Sequence, residues 1–305
     1  MTDAPRDPET GSGGGAFVRM LRSAPALVAI GVMLTTGAVF SGRLDHHAAP
    51  TCLPDEFADG QRWICTFHDE FDGQALDRTK WFVQTGFVTG NPNTAAYACT
   101  VDDPKYISVS GGELHLTMDR VPNPVPCTGY ADSTYESPSI STYHTFSQQY
   151  GRIEVRSRVT ATPAPGLQES LWLWPDDRYV AKADQAKGEI DISEQYSLYP
   201  ELAVPFLHGK RGGNPVPGVN TAWACAAARG VWNTFVFVST PTSITISVNG
   251  KTCLHNTDGD PAFHQRYIMV LTQALGVTNN APTPKTTIPA TTDIDYVRMW
   301  KSATN

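Results

Sequence analysis

The chain is short of charge. Only 17% of its residues are Asp, Glu, Lys or Arg, against roughly 25% in an average globular protein. With 41% hydrophobic residues, this excludes a disordered polyelectrolyte, because enough apolar side chain is present to build a core. Basic residues are outnumbered, 23 against 30 acidic, for a formal charge of −7. A nucleic-acid partner, which needs a basic face for phosphate, is therefore not expected. No C-x-x-C pair occurs among the six cysteines, which argues against zinc and thioredoxin-type sites. No repeat at solenoid or propeller spacing is visible. The 25 Gly and 23 Pro follow no period, which excludes collagen and points to many turns. Amphipathic helical periodicity longer than about two turns is missing beyond residue 42, which argues against an α/β fold.

One long apolar run is present. Residues 24–40, APALVAIGVMLTTGAVF, carry no charge, with Arg19 and Arg22 before them and Ser41-Gly42-Arg43 after. Positive charge, apolar stretch and small residues in that order describe a secretory signal or an uncleaved signal anchor. The run lies at the short end of the roughly 17–25 residues a spanning helix needs, so length does not choose between them. The expectation is an exported chain, extracellular or at the cell surface, touching a membrane only through such an anchor. All six cysteines lie downstream of the run, as an oxidised framework requires. Several connectivities remain open; the pairing expected here joins neighbours, Cys52 with Cys65, Cys99 with Cys127, and Cys225 with Cys253. The expected organisation is a signal or anchor at 1–42, a linker at 43–62 with Pro50, Pro54 and no periodicity, and one domain at 63–301.

That domain reads as strands. Leu114, Leu116 and Met118 alternate with polar residues, and Ile153 and Val155 repeat the pattern in GRIEVRSRV. FVFVST, SITISV, Asn249-Gly250 and KTCLHN follow in series, and Asn-Gly is the preferred pair for a tight hairpin because both central residues need positive φ. Many short strands over roughly 240 residues fit one sandwich or jelly roll.

The chemistry concentrates in KGEIDISEQYS, residues 187–197, where Glu189, Asp191 and Glu194 are separated by Ile190 and Ile192. On a strand, Glu189 and Asp191 share one face while the isoleucines point into the core. Glu194 would fall on the wrong face by strict alternation, and a bulge near Ser193 would return it to the other two. Two carboxylates on one face are what glycosidic cleavage needs: about 5–5.5 Å apart in a retaining enzyme, wider in an inverting one. A solvated acidic face is the bland alternative; the isoleucines between the acids weigh against it. Just upstream, in SLWLWPDD, Ser170, Trp172 and Trp174 fall on one face and Leu171 and Leu173 on the other. Aromatic faces stack on the C–H faces of sugar rings, although core packing is the commoner role for a tryptophan.

FHDEFDGQALDRTKW (67–81), YGRIEVRSRV (150–159), SLWLWP (170–175), GEIDISE (188–194) and ATTDIDYVRMW (290–300) occur in the order seen in glycoside hydrolase family 16. Over about residues 63–301 the chain resembles a laminarinase-type member of that family. The resemblance implies an all-β, concanavalin-like jelly-roll sandwich of two antiparallel sheets, and retaining endo-cleavage of a β-linked polysaccharide. It implies Glu189 as nucleophile, Glu194 as general acid/base and Asp191 as the residue that tunes the nucleophile, with no cofactor needed for catalysis. Trp172 would line the cleft, with Trp174 beside it, and His208 in PFLHGK would position substrate or the acid/base. A structural calcium bound by Asp295 and carbonyls near Glu70 and Gly112 is a further implication. Two departures bear on specificity: Gln185, Ala186 and Lys187 stand where glucan-cleaving members usually carry a Trp, and Thr272 stands where Asn is common. An endo-β-1,3-glucanase acting as a monomer is the simplest expectation. A transglycosylase or endo-galactanase on the same fold, or a non-catalytic carbohydrate-binding module, are the alternatives.

Overall fold

A computed structural model of the chain describes residues 57–303 apart from 59, 95, 181–186 and 211–213. The apolar run at 24–40, most of the 43–62 segment, Cys52, Gln185 and Ala186 lie outside the described residues. Among those described, no helix is long and apolar enough to cross a membrane.

In chain order the strands are β1 (Phe57–Ala58), β2 (Gln61–Asp69), β3 (Phe82–Val83), β4 (Val88–Asn91), β5 (Ala96–Thr100), β6 (Ile107–Ser110), β7 (Glu113–Val125), β8 (Ser133–Ser137), β9 (Ser139–Ser141) and β10 (Gly151–Val159). They continue with β11 (Leu167–Pro175), β12 (Ile190–Tyr196), β13 (Leu202–Leu207), β14 (Cys225–Ala226), β15 (Asn233–Ser239), β16 (Ile244–Val248), β17 (Lys251–Asn256), β18 (Tyr267–Leu275) and β19 (Ala290–Ser302). One sheet follows the order β17-β16-β15-β10-β19-β7-β8-β5-β4, with β2 also on β19, β1 on β2 and β6 on β7. The other runs β14-β13-β12-β11-β18-β9-β3. Pairing is antiparallel except between β5 and β8. This is the expected jelly-roll sandwich. The sheet starts earlier than composition suggested: β1 and the first residues of β2 fall within the segment expected as a linker. A ladder there is closed by the backbone and does not need side-chain alternation.

The alternating patterns become the core. Leu114, Leu116, Ile153, Val155, Phe235 and Phe237 from one sheet meet Leu171, Leu173, Ile190, Ile192, Met269 and Leu271 from the other. Asn249 and Gly250, at φ 51° and 77°, make the tight turn between β16 and β17. A polar network crosses this interior: Arg229 donates to Glu169 through Nη1 and Nη2 at 2.7 and 2.8 Å. Gln273 Nε2 donates to the same carboxylate at 3.0 Å, and Thr292 Oγ1 donates to Gln273 Oε1 at 2.8 Å. Cys99–Cys127 and Cys225–Cys253 are disulfides, the latter joining the outermost strand of each sheet, β14 to β17. Cys65 is also disulfide-bonded.

Candidate active site

The outer face of the seven-stranded sheet carries the carboxylates. β11 and β12 pair Trp172 with Asp191 but Leu171 with Ser193, which leaves Ile192 as the extra residue of a bulge. Ile190 and Ile192 lie in the core, and Ser193 pairs with core-facing Leu171. Two consecutive inward residues therefore return Glu194 to the face of Asp191, where it pairs with Ser170. The register with β13 shifts in the same interval, between Asp191 and Glu194.

Glu189 precedes β12 and is held by its backbone: Gly188 N–H donates to His208 O at 2.7 Å and His208 N–H donates to Glu189 O at 2.9 Å. Gly188 sits at φ 112°, and a Cβ there would lie 2.2 Å from the Ala262 carbonyl oxygen, so only glycine fits at this approach to the site. One polar atom each of Glu189, Asp191 and His208 falls within 4.8 Å of the others. His208 Nε2 and Asp191 Oδ2 are 2.9 Å apart, a hydrogen bond in which either partner can carry the proton. The Phe206 ring packs against His208 at 4.4 Å between centroids. Gln168 Nε2 donates to Glu194 Oε1 at 2.6 Å, and Tyr196 adds a second hydrogen bond to Glu194.

Asp191 is buried and Glu189 and Glu194 are half-buried beside it, so the three carboxyls cannot all ionise freely. Burial, reinforced by the Asp191 charge, pushes Glu194 up to about 8, against the pull of the Tyr196 and Gln168 hydrogen bonds and of His208. Glu189 and Asp191 are both raised as well, chiefly by burial. They interact as a pair, so their protons belong jointly to the two. At neutral pH the site holds fewer than three negative charges.

Trp172 and Trp174 share the carboxylate face and meet edge-to-face at 5.9 Å. Trp172 is buried, and its indole N–H donates to Thr272 Oγ1 at 3.1 Å. Thr272 also exchanges a hydrogen bond with Ser139 Oγ at 3.0 Å. The threonine thus steadies the indole and has little hydroxyl left for a ligand. Gln168, Tyr196 and Phe206 were not picked out from sequence. Gln168 was within reach, because it continues the period-two face of Ser170, Trp172 and Trp174; Phe206 was not, because its place depends on the β12–β13 register.

The acidic side chains near the expected calcium site are paired with arginines. Asp295 is hydrogen-bonded to Arg156, and both oxygens of Glu70 accept from Arg298 at 2.9 and 2.8 Å. The Arg156 guanidinium already neutralises Asp295, the one charged ligand expected there, so that carboxylate does not fit a metal ion. The neighbouring Glu113, His115 and Asp293 group is likewise claimed by Arg158.

No family model matches the chain. Among curated proteins it is 25% identical over 258 residues to glucan endo-1,3-beta-glucosidase A1 of Niallia circulans, a match covering 77% of this chain and 37% of that protein. It is 24% identical over 244 residues to keratan-sulfate endo-1,4-beta-galactosidase of Sphingobacterium multivorum, covering 76% and 54%. The chain thus spans about half or less of the length of these relatives. Among solved structures, an endo-acting O-glycanase of the human gut microbiota superposes with a TM-score of 0.65 at 21% identity, covering 82% of this chain and 94% of that one. The catalytic domain of the Thermotoga petrophila laminarinase gives 0.64 at 19% identity, covering 80% and 99%. The resemblance to glycoside hydrolase family 16 that the motifs carry is therefore borne out.

Proposed function

We propose that the chain is an exported, retaining, endo-acting β-glycoside hydrolase, most simply an endo-β-1,3-glucanase. The observation that carries this reading is the bulge at Ile192 and Ser193, which sets Glu189, Asp191 and Glu194 on one face with every carboxyl raised by burial. In the proposed cycle Glu189 attacks the anomeric carbon while protonated Glu194 transfers its proton to the departing glycosidic oxygen. A covalent glycosyl-enzyme results. Glu194, now ionised, takes a proton from water as the water's oxygen displaces Glu189, and the β configuration is retained. Asp191, hydrogen-bonded to His208, adjusts how readily its neighbour Glu189 ionises. The catalytic unit is residues 63–301, acting as a monomer outside the cell, with the 24–40 run as signal or anchor.

Two measurements test this reading. Purified protein should release oligosaccharides from β-1,3-glucan faster than from mixed-linkage glucan, keratan sulfate or galactans. A preference for a galactan would move the assignment toward the galactosidase relative, and release from none would remove it. Azide separates the roles of the carboxylates. With an activated aryl β-glycoside, Glu194→Ala should give a β-glycosyl azide, because azide attacks the intermediate without base assistance. Glu189→Ala should give the α-azide, with azide taking the nucleophile's place. The opposite anomers would exchange the two assignments.

A further inference from the structure

Half-buried Gln168, the second residue of β11, donates from Nε2 to Glu194 Oε1 at 2.6 Å. Its place follows from register. Gln168 pairs with Tyr196 on β12 and Ala274 on β18, while Ser170, one step along the same face, pairs with Glu194. The amide therefore crosses diagonally between neighbouring strands, a reach that a long side chain can span. The backbone on both sides of the donor is pinned. Leu167 N–H donates to Ser197 Oγ at 3.0 Å, and Leu167 O accepts from Asn280 Nδ2 at 2.7 Å. Glu169 accepts both guanidinium bonds of buried Arg229, whose Nη1 also donates to the carbonyl of Gln195, next to Glu194, at 3.4 Å. One buried guanidinium thus ties the strand of the donor to the strand of the acceptor.

The groups that act on Glu194 are Asp191 and Tyr196 on its own strand, Glu189 just before it, His208 after β13 and Gln168 on β11. Its direct cross-strand neighbours, Ser170 and Val204, carry no charge. In the proposed cycle Glu194 gives a proton to the departing oxygen in the first half and takes one from water in the second. Burial and the Asp191 charge favour the first task and oppose the second, because both disfavour the ionised form. An N–H aimed at the carboxylate does the reverse, since a charge-assisted hydrogen bond strengthens on ionisation. The amide has no proton to lose in the working range, so its pull does not vary with pH.

We infer that Gln168 is a positioning residue of Glu194 that keeps this carboxyl able to act as a base, and so serves the breakdown of the glycosyl-enzyme more than its formation. The inference rests on the glycoside hydrolase reading above. In the breakdown step the water oxygen bonds to the anomeric carbon, the ester bond to Glu189 breaks, and the water's proton passes to Glu194. Gln168 neither touches the sugar nor carries the proton; it acts through the carboxylate it holds.

The test uses two variants of opposite sign. Gln168→Leu keeps the bulk and removes the donor, so Glu194 should hold its proton to a pH about one unit higher, the effect of one charge-assisted hydrogen bond. Gln168→Lys keeps a nitrogen donor and adds a positive charge, and should move the same titration down. Carbon-13 NMR of the Glu194 carboxyl, identified by its loss in Glu194→Gln, reads both. On an activated aryl β-glycoside near neutral pH, Gln168→Leu should show a burst and then steady turnover about tenfold below wild type, as a one-unit shift requires. Azide, which needs no base, should restore most of that turnover. A merely structural role would slow both halves of the cycle, give no burst and leave the two titrations unopposed. Unmoved titrations, or a loss that azide does not relieve, would overturn the role. Should Gln168→Leu not fold, the downward shift in Gln168→Lys decides alone. If the wild type cleaves neither polysaccharide nor aryl glycoside, the hydrolase reading fails by itself. The NMR titrations then judge the contact: opposite shifts support Gln168 as the group that holds the Glu194 charge, and equal or absent shifts overturn it.

Discussion

Glu194 must hold a proton at the pH where the pair of Glu189 and Asp191 has released one. Burial raises all three, so the activity profile should be a bell shifted toward neutrality. Its basic limb should fall near the value of about 8 reached by Glu194; a rate still rising through alkaline pH would contradict the assignment. The same shift carries a cost in stability with a definite sign. A carboxyl raised in the folded state binds more protons there than in the unfolded chain between its unfolded value near 4.5 and about 8. Stability should therefore fall as pH rises through that window. Glu194→Gln, which cannot ionise, should melt higher than the wild type at pH 8 and show a smaller difference at pH 4. Each kcal/mol recovered is worth about 2–4 °C at this size. Thermal melts at the two pH values check it, and a variant less stable at pH 8 would count against buried charge at Glu194.

At the scale of the element, the bulge in β12 decides whether the site exists. Deleting Ser193 would restore plain alternation, turning Glu194 toward the core and leaving Glu189 without the proposed acid/base across from it. The deletion variant should lose activity by at least about a thousandfold, whether it misfolds or folds inert, since an unpaired buried carboxyl is costly. Circular dichroism and turnover together read this out, and a folded, active deletion variant would show that the bulge is dispensable. The link across the sandwich between Arg229 and Glu169 is the complementary case. Both side chains are nearly inaccessible, at 2% and 3% exposure, so removing one partner leaves a buried charge. Arg229→Met should cost about 3–5 kcal/mol, measured by denaturant unfolding, whereas Arg229→Met with Glu169→Leu should recover much of the loss.

Over the whole molecule, two sheets share one core, and the Cys225–Cys253 disulfide ties their outer strands together. Removing it should cost about 2–5 kcal/mol. Alkylation under non-reducing, unfolding conditions should label no cysteine in the exported protein, in keeping with the absence of free thiols among the described residues. The local features were legible in the sequence. The alternation of Leu114, Leu116 and Met118, the Asn249-Gly250 turn and the spacing of Glu189, Asp191 and Glu194 are all expressed within a few residues, where backbone geometry alone sets a period of two. Other features needed the tertiary structure. Arg229 finds Glu169 from 60 residues away, and Asp295 meets Arg156 across 139. Trp223 meets Tyr199 only because β13 lies between β12 and β14. Strand order and register bring these groups together through burial shared between sheets, and no local period encodes which distant strand becomes the neighbour.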